Sequence, residues 1–133
     1  MLNGLAGAEC MIIAEHSGQV SKIFLNGVFP IELLATQKAI YTVDMDQYRE
    51  KVLVLNNEQL LSIYDIGNGE LLFQEPGCTS ACFNTEHEGL LCLTTTDELL
   101  IKTRNKVTFR QKLKNNQRCV GFVANWVYLL RVV

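Results

Sequence analysis

Thiols and imidazoles are the side chains of this sequence with the widest chemistry, because they bind metals, form disulfides and act as nucleophiles. The chain has five cysteines and two histidines. The histidines, His16 and His87, are far apart in the sequence, and no two cysteines form a Cys-x-x-Cys pair. A zinc site usually draws its ligands from more closely spaced groups. The spacing therefore predicts no metal site.

The cysteines are instead predicted to pack as small apolar side chains. Four of the five lie within apolar runs, such as Cys10-Met-Ile-Ile and Leu91-Cys-Leu. Free cysteine commonly behaves as a small hydrophobe in a protein core. An odd count with no apparent disulfide framework favours a reducing, cytosolic compartment. The five residues are Cys10, Cys78, Cys82, Cys92 and Cys119.

No constellation for catalysis or phosphate binding is present in the sequence. It lacks the G-x-S-x-G, G-x-x-x-x-G-K-[ST] and G-x-G-x-x-G motifs. Asp44-Met-Asp46 lacks the glycine and the distal glutamate of a calcium loop. We therefore predict that the protein is not an enzyme and has no catalytic, cofactor-binding or metal-binding residues, and the sequence assigns no partner-binding residues. The acidic residues predicted to lie in solvated strand-connecting turns are Asp44, Asp46, Glu86 and Glu88.

Charge and hydropathy exclude several classes of partner. The net charge is −2, so no single-sign field favours nucleic acid or an anionic membrane. Basic residues concentrate only between Lys102 and Arg118, and we interpret them as solvated faces and loop ends, the alternative being a patch for an acidic partner. No apolar run approaches the roughly 20 residues of a membrane helix. We therefore expect that the protein does not bind nucleic acid, does not insert directly into a membrane and has no small-molecule substrate.

A repeat near forty residues organises the chain. The segment Glu58–Ile66 is similar in pattern to Asp97–Asn105, which begins 39 residues later, and to Gly18–Asn26, which begins 40 residues earlier. Each segment has a polar turn residue, then apolar positions, then a polar tail. A second landmark repeats with the same period at Val43, Phe83 and Phe122.

Each period is predicted to hold four short strands, because apolar or β-favouring runs of about four to seven residues alternate with turn signals. Asn and Gly occupy the turns, where they tolerate positive φ. The predicted strands are Cys10–Glu15, Gln19–Leu25, Ile31–Ala35, Ala39–Asp44, Lys51–Leu55, Gln59–Ile66, Glu70–Glu75, Ser80–Asn84, Gly89–Thr94, Glu98–Arg104, Val107–Leu113, Cys119–Ala124 and Trp126–Val132.

Four short antiparallel strands in every period of about 40 residues are typical of a propeller blade. The predicted fold is all-β: a WD40-like β-propeller fragment of about three blades of four antiparallel strands, with an incomplete ring. A β-sandwich is the competing architecture, and the fixed period favours the propeller. Residues 1–9 are not clearly part of a blade. Residues 10–133 form the partial propeller, with units at about 10–38, 39–79, 80–117 and 118–133.

Two sites within this scaffold are candidates for partner contacts. Tyr64-Asp65 ends the third strand of its unit, where WD repeats place their Trp-Asp pair, and we interpret it as scaffolding. Trp126, the only tryptophan, lies in an apolar strand and is predicted to be in the core. Because a ring needs four to eight blades, we expect the chain to be a fragment of a longer protein or a truncated gene product, marginally stable or aggregation-prone alone.

Several blocks of residues go beyond a generic propeller. Tyr64-Asp-Ile and the block Glu70-Leu-Leu-Phe-Gln-Glu-Pro76 resemble the intraflagellar transport protein 122 homologue family, as does the block from Phe83 to Leu93. The similarity continues in the same order through Ile101-Lys102, Arg110-Gln-Lys-Leu113 and Val120-Gly-Phe122, and residues 18 to 130 align with the later blades of that family's second propeller. The Gly-His and Asp landmarks of strong WD repeats are missing, and Met1–Ala8 does not resemble a blade strand.

The resemblance implies a protein with two WD propellers and a helical solenoid that is a core subunit of intraflagellar transport complex A. It implies a non-catalytic scaffold that supports retrograde ciliary transport, cilium assembly and protein import into cilia. The implied partners are the other subunits of that complex and ciliary cargo, and the implied location is the cytoplasm, the cilium and the ciliary base. The alternative is the propeller of a related vesicle-coat or membrane-trafficking subunit.

Overall fold

The computed structural model describes residues 10–24, 31–35, 38–103, 106–114 and 116–131. These ranges form thirteen β-strands. No helix within them is long and apolar enough to cross a bilayer. The strands are β1 (Cys10–Ala14), β2 (Gln19–Phe24), β3 (Ile31–Ala35), β4 (Ile40–Met45), β5 (Lys51–Asn56), β6 (Leu61–Asp65), β7 (Leu71–Glu75), β8 (Ser80–Phe83), β9 (Leu90–Thr94), β10 (Glu98–Thr103), β11 (Lys106–Lys112), β12 (Gln117–Val123) and β13 (Trp126–Arg131).

The strands form four separate sheets, and within each sheet the strands that follow one another along the chain pair antiparallel. The sheets hold β1–β3, β4–β7, β8–β11 and β12–β13. A β-sandwich would gather its strands into two facing sheets, whereas three consecutive antiparallel meanders and a final hairpin are what a series of blades, the last one partial, requires. The prediction of an all-β, incomplete propeller is confirmed.

One predicted strand boundary fails for a local reason. Gln59 is predicted to begin a strand, but it adopts a φ of 63°, and β6 begins only at Leu61. The side-chain oxygen of Asn56 accepts hydrogen bonds from the backbone N–H groups of Glu58 and Leu60, at 2.9 and 3.0 Å. This Asn-centred turn extends through Gln59 and delays the strand.

Neighbouring sheets stack because the side chains of an inner strand alternate between its two faces, and each face packs against a different sheet. In β5, Val52 and Val54 point to one face and Leu53 and Leu55 to the other, since successive side chains of a strand face opposite ways. Both pairs are buried, but in different cores. The two valines pack with Val20 of the first sheet. The two leucines pack with residues of the third sheet, which include Phe83, Leu91, Leu93 and Leu100.

A third core lies between the third and fourth sheets. It contains Cys92 and Leu99 from the third sheet, and Cys119 and Phe122 from the fourth. Every interface between consecutive sheets therefore has its own apolar core. Burial of both faces explains why β5 and β9 are continuous apolar runs, not alternating ones.

The first strands of the last three sheets, β4, β8 and β12, form what we call the inner seam, in which β8 contacts both of its neighbours. Hydrogen bonds cross this seam between residues about one repeat apart. The backbone N–H of Phe83 donates to Oδ2 of Asp44 at 2.8 Å, and the backbone N–H of Cys119 donates to Oγ of Ser80 at 2.9 Å. In each pair the residues are 39 positions apart. Equivalent strands of consecutive repeats are thus neighbours in space.

Candidate functional site

The acidic residues predicted to lie in turns have separate structural tasks. Asp46 does lie in a turn, where its Oδ1 accepts the backbone N–H groups of Glu50 and Lys51 at 2.7 and 2.9 Å. Glu86 and Glu88 are exposed between β8 and β9. The prediction was wrong for Asp44, which lies within β4 and points across the inner seam to Phe83. Its role depends on a contact between repeats, which local turn signals cannot show.

Burial raises the pKa of the Asp44 carboxyl above its ordinary value of 3.8. The hydrogen bonds from the backbone N–H groups of Phe83 and Met45 oppose this rise, because they stabilise the carboxylate. The nearby negative charge of Asp46 adds to the rise. Asp44 is therefore a half-buried acceptor with one dominant backbone partner across the seam.

Tyr64 and Asp65 have scaffolding contacts, which agrees with our interpretation of this pair. The Tyr64 ring packs against the valine core between the first two sheets. Oδ1 of Asp65 accepts the backbone N–H groups of Gly67 and Asn68, at 2.7 and 3.1 Å, and so closes the turn between β6 and β7. Asp65 therefore shapes a hairpin in the manner of an Asx turn.

The basic residues between Lys102 and Arg118 were predicted to be solvated, but one of them is buried. Lys102 is 5% exposed, and its Nζ lies 3.1 Å from Oε2 of Glu75 in the preceding sheet. The same ammonium lies 4.6 Å from the centre of the Phe73 ring. The prediction is wrong for Lys102 because its side chain on β10 is covered by the second sheet and reaches Glu75 on β7 of that sheet. Arg110, in contrast, is exposed and paired with Glu98; Arg104 lies outside the described residues.

Trp126 is not in the core, although its apolar strand predicted that position. The side chain is 69% exposed, and Val120, Tyr128 and Leu130 of the same two-stranded sheet are also exposed. An apolar strand is buried only where another sheet covers it, and among the described residues no sheet covers the outer face of β12 and β13. These side chains form an exposed apolar surface on the last sheet.

Three cysteines that are widely spaced in the sequence meet in the structure. Cys82 on β8, Cys92 on β9 and Cys119 on β12 place their Sγ atoms within 4.8 Å of one another. We call this group the thiol cluster. The Sγ atoms of Cys82 and Cys92 are 3.3 Å apart, which is too far for a disulfide bond of about 2.05 Å. Cys92 and Cys119 are buried, and Cys82 is half-buried.

Cys119 has hydrogen-bond contacts outside the cluster as well as within it. Its Sγ lies 3.2 Å from Oγ of Ser80 and can donate to the backbone carbonyl of Cys92 at 3.9 Å. Hydrogen bonds to its sulfur from Cys82 and Cys92 lower the pKa of Cys119, whereas burial opposes that shift. The pKa values of Cys82 and Cys92 are raised, first by their hydrogen bonding with Cys119 and then by burial. The ionisation of each of these three thiols therefore depends on the other two.

A cleft along the inner seam reaches the thiol cluster. It has a volume of about 410 Å³, and its walls are residues of β4, β8 and β12 with the adjoining Thr85. Asp44, Cys82 and Cys119 line it, while Cys92 is 0% exposed. The cleft thus brings one carboxyl group and two of the three thiols to the same side of the seam.

The sequence analysis missed this cluster because it searched for ligands that are close along the chain. Two signals could have pointed to it. Cys119 lies one repeat after Ser80, at the matching position of the next inner strand. Cys82 and Cys92 lie directly opposite each other in the β8–β9 hairpin. Stacked repeats bring together positions that are about forty residues apart, as well as positions opposite each other in one hairpin.

Comparison with known proteins adds an independent observation. Residues 1–133 match the family model described as IFT122 second β-propeller. The chain is 34% identical over 132 residues to the human intraflagellar transport protein 122 homolog, an alignment that covers 99% of the chain and 10% of that protein. The Danio rerio protein of the same name is 33% identical, with 99% of the chain and 11% of that protein covered.

The chain spans about a tenth of the length of the relatives it matches. The similarity nevertheless extends along the whole chain, which includes residues 1–9, and it agrees with the consecutive four-stranded sheets of the structure. The resemblance noted in the sequence is confirmed: the chain belongs to the IFT122 second β-propeller family.

Proposed function

We propose that the chain is part of a non-catalytic scaffold subunit of intraflagellar transport complex A. In this role it supports retrograde ciliary transport, cilium assembly and protein import into cilia. The observation that carries the proposal is the match along residues 1–133 to a propeller family whose relatives are named for intraflagellar transport. Its partners are the other subunits of the complex and ciliary cargo, in the cytoplasm, the cilium and the ciliary base.

The use of the polar side chains supports a scaffold. Three charged side chains that could be considered for a chemical role each make a contact that holds the fold together. They are Asp44, Asp65 and Lys102. The outer strands offer surface for other proteins instead. Exposed apolar side chains lie on these strands, and such side chains are typical of a surface that binds other proteins. They are Leu71 and Leu72 on β7 and Phe109 on β11.

The proposal is tested by affinity purification from ciliated cells in which the gene is tagged at its own locus. Co-purifying proteins are identified by mass spectrometry. We expect the other subunits of the intraflagellar transport complex. Recovery of vesicle-coat subunits in their place would contradict the proposal and support the alternative trafficking role.

A pair of matched variants links the result to the folded chain. Leu93→Asp places a carboxylate at a site that is 0% exposed, whereas Thr96→Asp places it in an exposed turn three residues later. A buried unpaired carboxylate disrupts the core. We expect Leu93→Asp to lose the complex subunits and Thr96→Asp to retain them. Equal recovery with both variants would show that this chain does not contribute to assembly.

A further inference from the structure

The thiol cluster has the donor set of a soft-metal site. Thiolate sulfur is the ligand that Zn²⁺ and Cu⁺ prefer over the harder oxygen donors. The three cysteines come from three strands in two sheets, so the cluster spans an interface between sheets. A disulfide would use only two of the three, and no pair is bonded. The cluster therefore offers three converging sulfur atoms to a single ion.

The distances between the sulfur atoms suit such an ion. A Zn–S bond is about 2.3 Å long, so two thiolates on one tetrahedral ion lie about 3.8 Å apart. The observed separation of Cys82 and Cys92 is 3.3 Å, and no pair in the cluster exceeds 4.8 Å. Binding thus requires sulfur movements of about 1 Å. Small changes of side-chain torsion supply these, and the strands stay in register.

The surroundings provide access and a favourable charge. Cys82 and Cys119 line the 410 Å³ cleft of the inner seam, so an ion and a water ligand can reach the sulfur atoms from that side. Asp44 lines the same cleft, and its carboxylate attracts a cation. The hydroxyl group of Ser80, 3.2 Å from Sγ of Cys119, can donate to a thiolate there.

Charge balance favours Zn²⁺ over Cu⁺. Three thiols that bind Zn²⁺ release three protons to solvent, and the ion together with its three thiolates carries a charge of −1. The same three thiolates on Cu⁺ would carry −2. Since an uncompensated charge in a buried site is costly, the divalent ion fits this interface better. We propose that Cys82, Cys92 and Cys119 bind one Zn²⁺ ion through three thiolates, with a fourth position open to a water in the cleft.

The consequence of this site is a link between neighbouring sheets at the inner seam. The ion joins the β8–β9 hairpin of the third sheet to β12 of the fourth. Ligands in such a site exist together only in the folded state, so metal binding stabilises the stacking of these two sheets. This inference concerns the chain itself and does not depend on the proposed transport role.

The first test measures metal content. The full-length gene product is purified under reducing conditions, dialysed against Zn²⁺-free buffer and analysed by elemental mass spectrometry. Cys92→Ala and Cys119→Ala are compared with Cys78→Ala, which removes a buried thiol outside the cluster. We expect the two cluster variants to hold one zinc equivalent less than the wild type and Cys78→Ala. Equal zinc content in all four proteins would overturn the proposal.

The second test uses only the wild type, so a variant that misfolds cannot confuse it. The rate at which each cysteine is alkylated is measured in mild denaturant, with and without Zn²⁺. Peptide mapping identifies which cysteine has reacted. At free Zn²⁺ roughly 100 times its Kd, linkage predicts that alkylation of the cluster slows by about 100-fold. Cys78 serves as the internal control and should slow much less. Unchanged rates at the cluster would overturn the site, and protection by Cu⁺ but not by Zn²⁺ would overturn the choice of ion.

Discussion

The carboxylate of Asp44 accepts the backbone N–H of Phe83 at 2.8 Å, and the two residues are 39 positions apart in the chain. That distance is one repeat. The hydrogen bond between Cys119 and Ser80 has the same separation, at the next interface. The inner seam is therefore held by contacts that repeat with the sequence, which is the arrangement expected when consecutive blades pack around one axis.

Loss of the Asp44 acceptor should weaken the β4–β8 part of the seam. We expect Asp44→Ala to destabilise the β8–β9 hairpin by about 1–3 kcal/mol, because it leaves the Phe83 N–H without its partner. Asp44→Asn keeps an acceptor oxygen and should cost less. Hydrogen exchange of the peptides covering residues 80–94 in the full-length gene product measures both effects. Equal protection in Asp44→Ala and wild type would contradict this role.

The raised pKa of Asp44 makes the stability of the seam depend on pH. Because the folded-state pKa lies above 3.8, the folded protein binds this proton more tightly than the unfolded chain does. Stability therefore falls as pH rises from 3.8 through the folded-state pKa. Asp44→Asn removes the titration, so its stability relative to wild type should increase across that window.

The measurement is hydrogen exchange of the same hairpin at several pH values with a chelator present, corrected for the intrinsic pH dependence of exchange. Glu86→Gln, in the neighbouring turn, is measured in parallel as the control for replacing an exposed acid by its amide. A difference between Asp44→Asn and wild type that does not change with pH would be evidence against the pKa shift of Asp44.

The buried lysine should matter more than the exposed arginine. Lys102→Met keeps the aliphatic packing but leaves Glu75 without its cation, and we expect a cost of about 2 kcal/mol. Arg110→Met removes the cation of an exposed pair with Glu98 and should cost less than about 1 kcal/mol. Local unfolding free energies from hydrogen exchange of β10 give both values. A similar cost for the two variants would show that burial does not strengthen the Lys102 contact.

Packing between the second and third sheets should dominate stability. Leu93→Ala removes a side chain that is 0% exposed in the core between these sheets, and we expect a loss of about 2–5 kcal/mol. Leu72→Ala, at a site 43% exposed, should cost about 0.5 kcal/mol or less. Proteolysis rates of the two variants under native conditions compare them directly. Equal rates would mean that this core does not hold the sheets together.

The sequence predicted the strands well because their signals are local. Apolar runs, turn residues and a repeat near forty residues are all visible without knowledge of contacts, and Val52–Leu55 and Leu90–Leu93 lie in the inner strands as expected. The failures at Lys102 and Trp126 have the opposite origin. Their burial is decided by whether a neighbouring sheet covers them, and strand periodicity carries no information about that.

The thiol cluster was missed for the same reason. Its three residues are unremarkable apolar positions within their own strands, and only the stacking of sheets brings β12 against the β8–β9 hairpin. A search for pairs one repeat apart would have found Ser80 and Cys119. Repeat architecture makes that search worthwhile, because equivalent positions of neighbouring units meet at the inner strands.

The proposed transport role is tested most directly by imaging transport in living cilia. The gene is deleted in ciliated cells, and the movement of a fluorescent transport subunit along the axoneme is recorded before and after the wild-type gene or the Leu93→Asp variant is returned. We expect retrograde movement to fall sharply on deletion, to recover with the wild type and to remain low with the variant. Retrograde movement that continues at its normal frequency after deletion would contradict the proposed function.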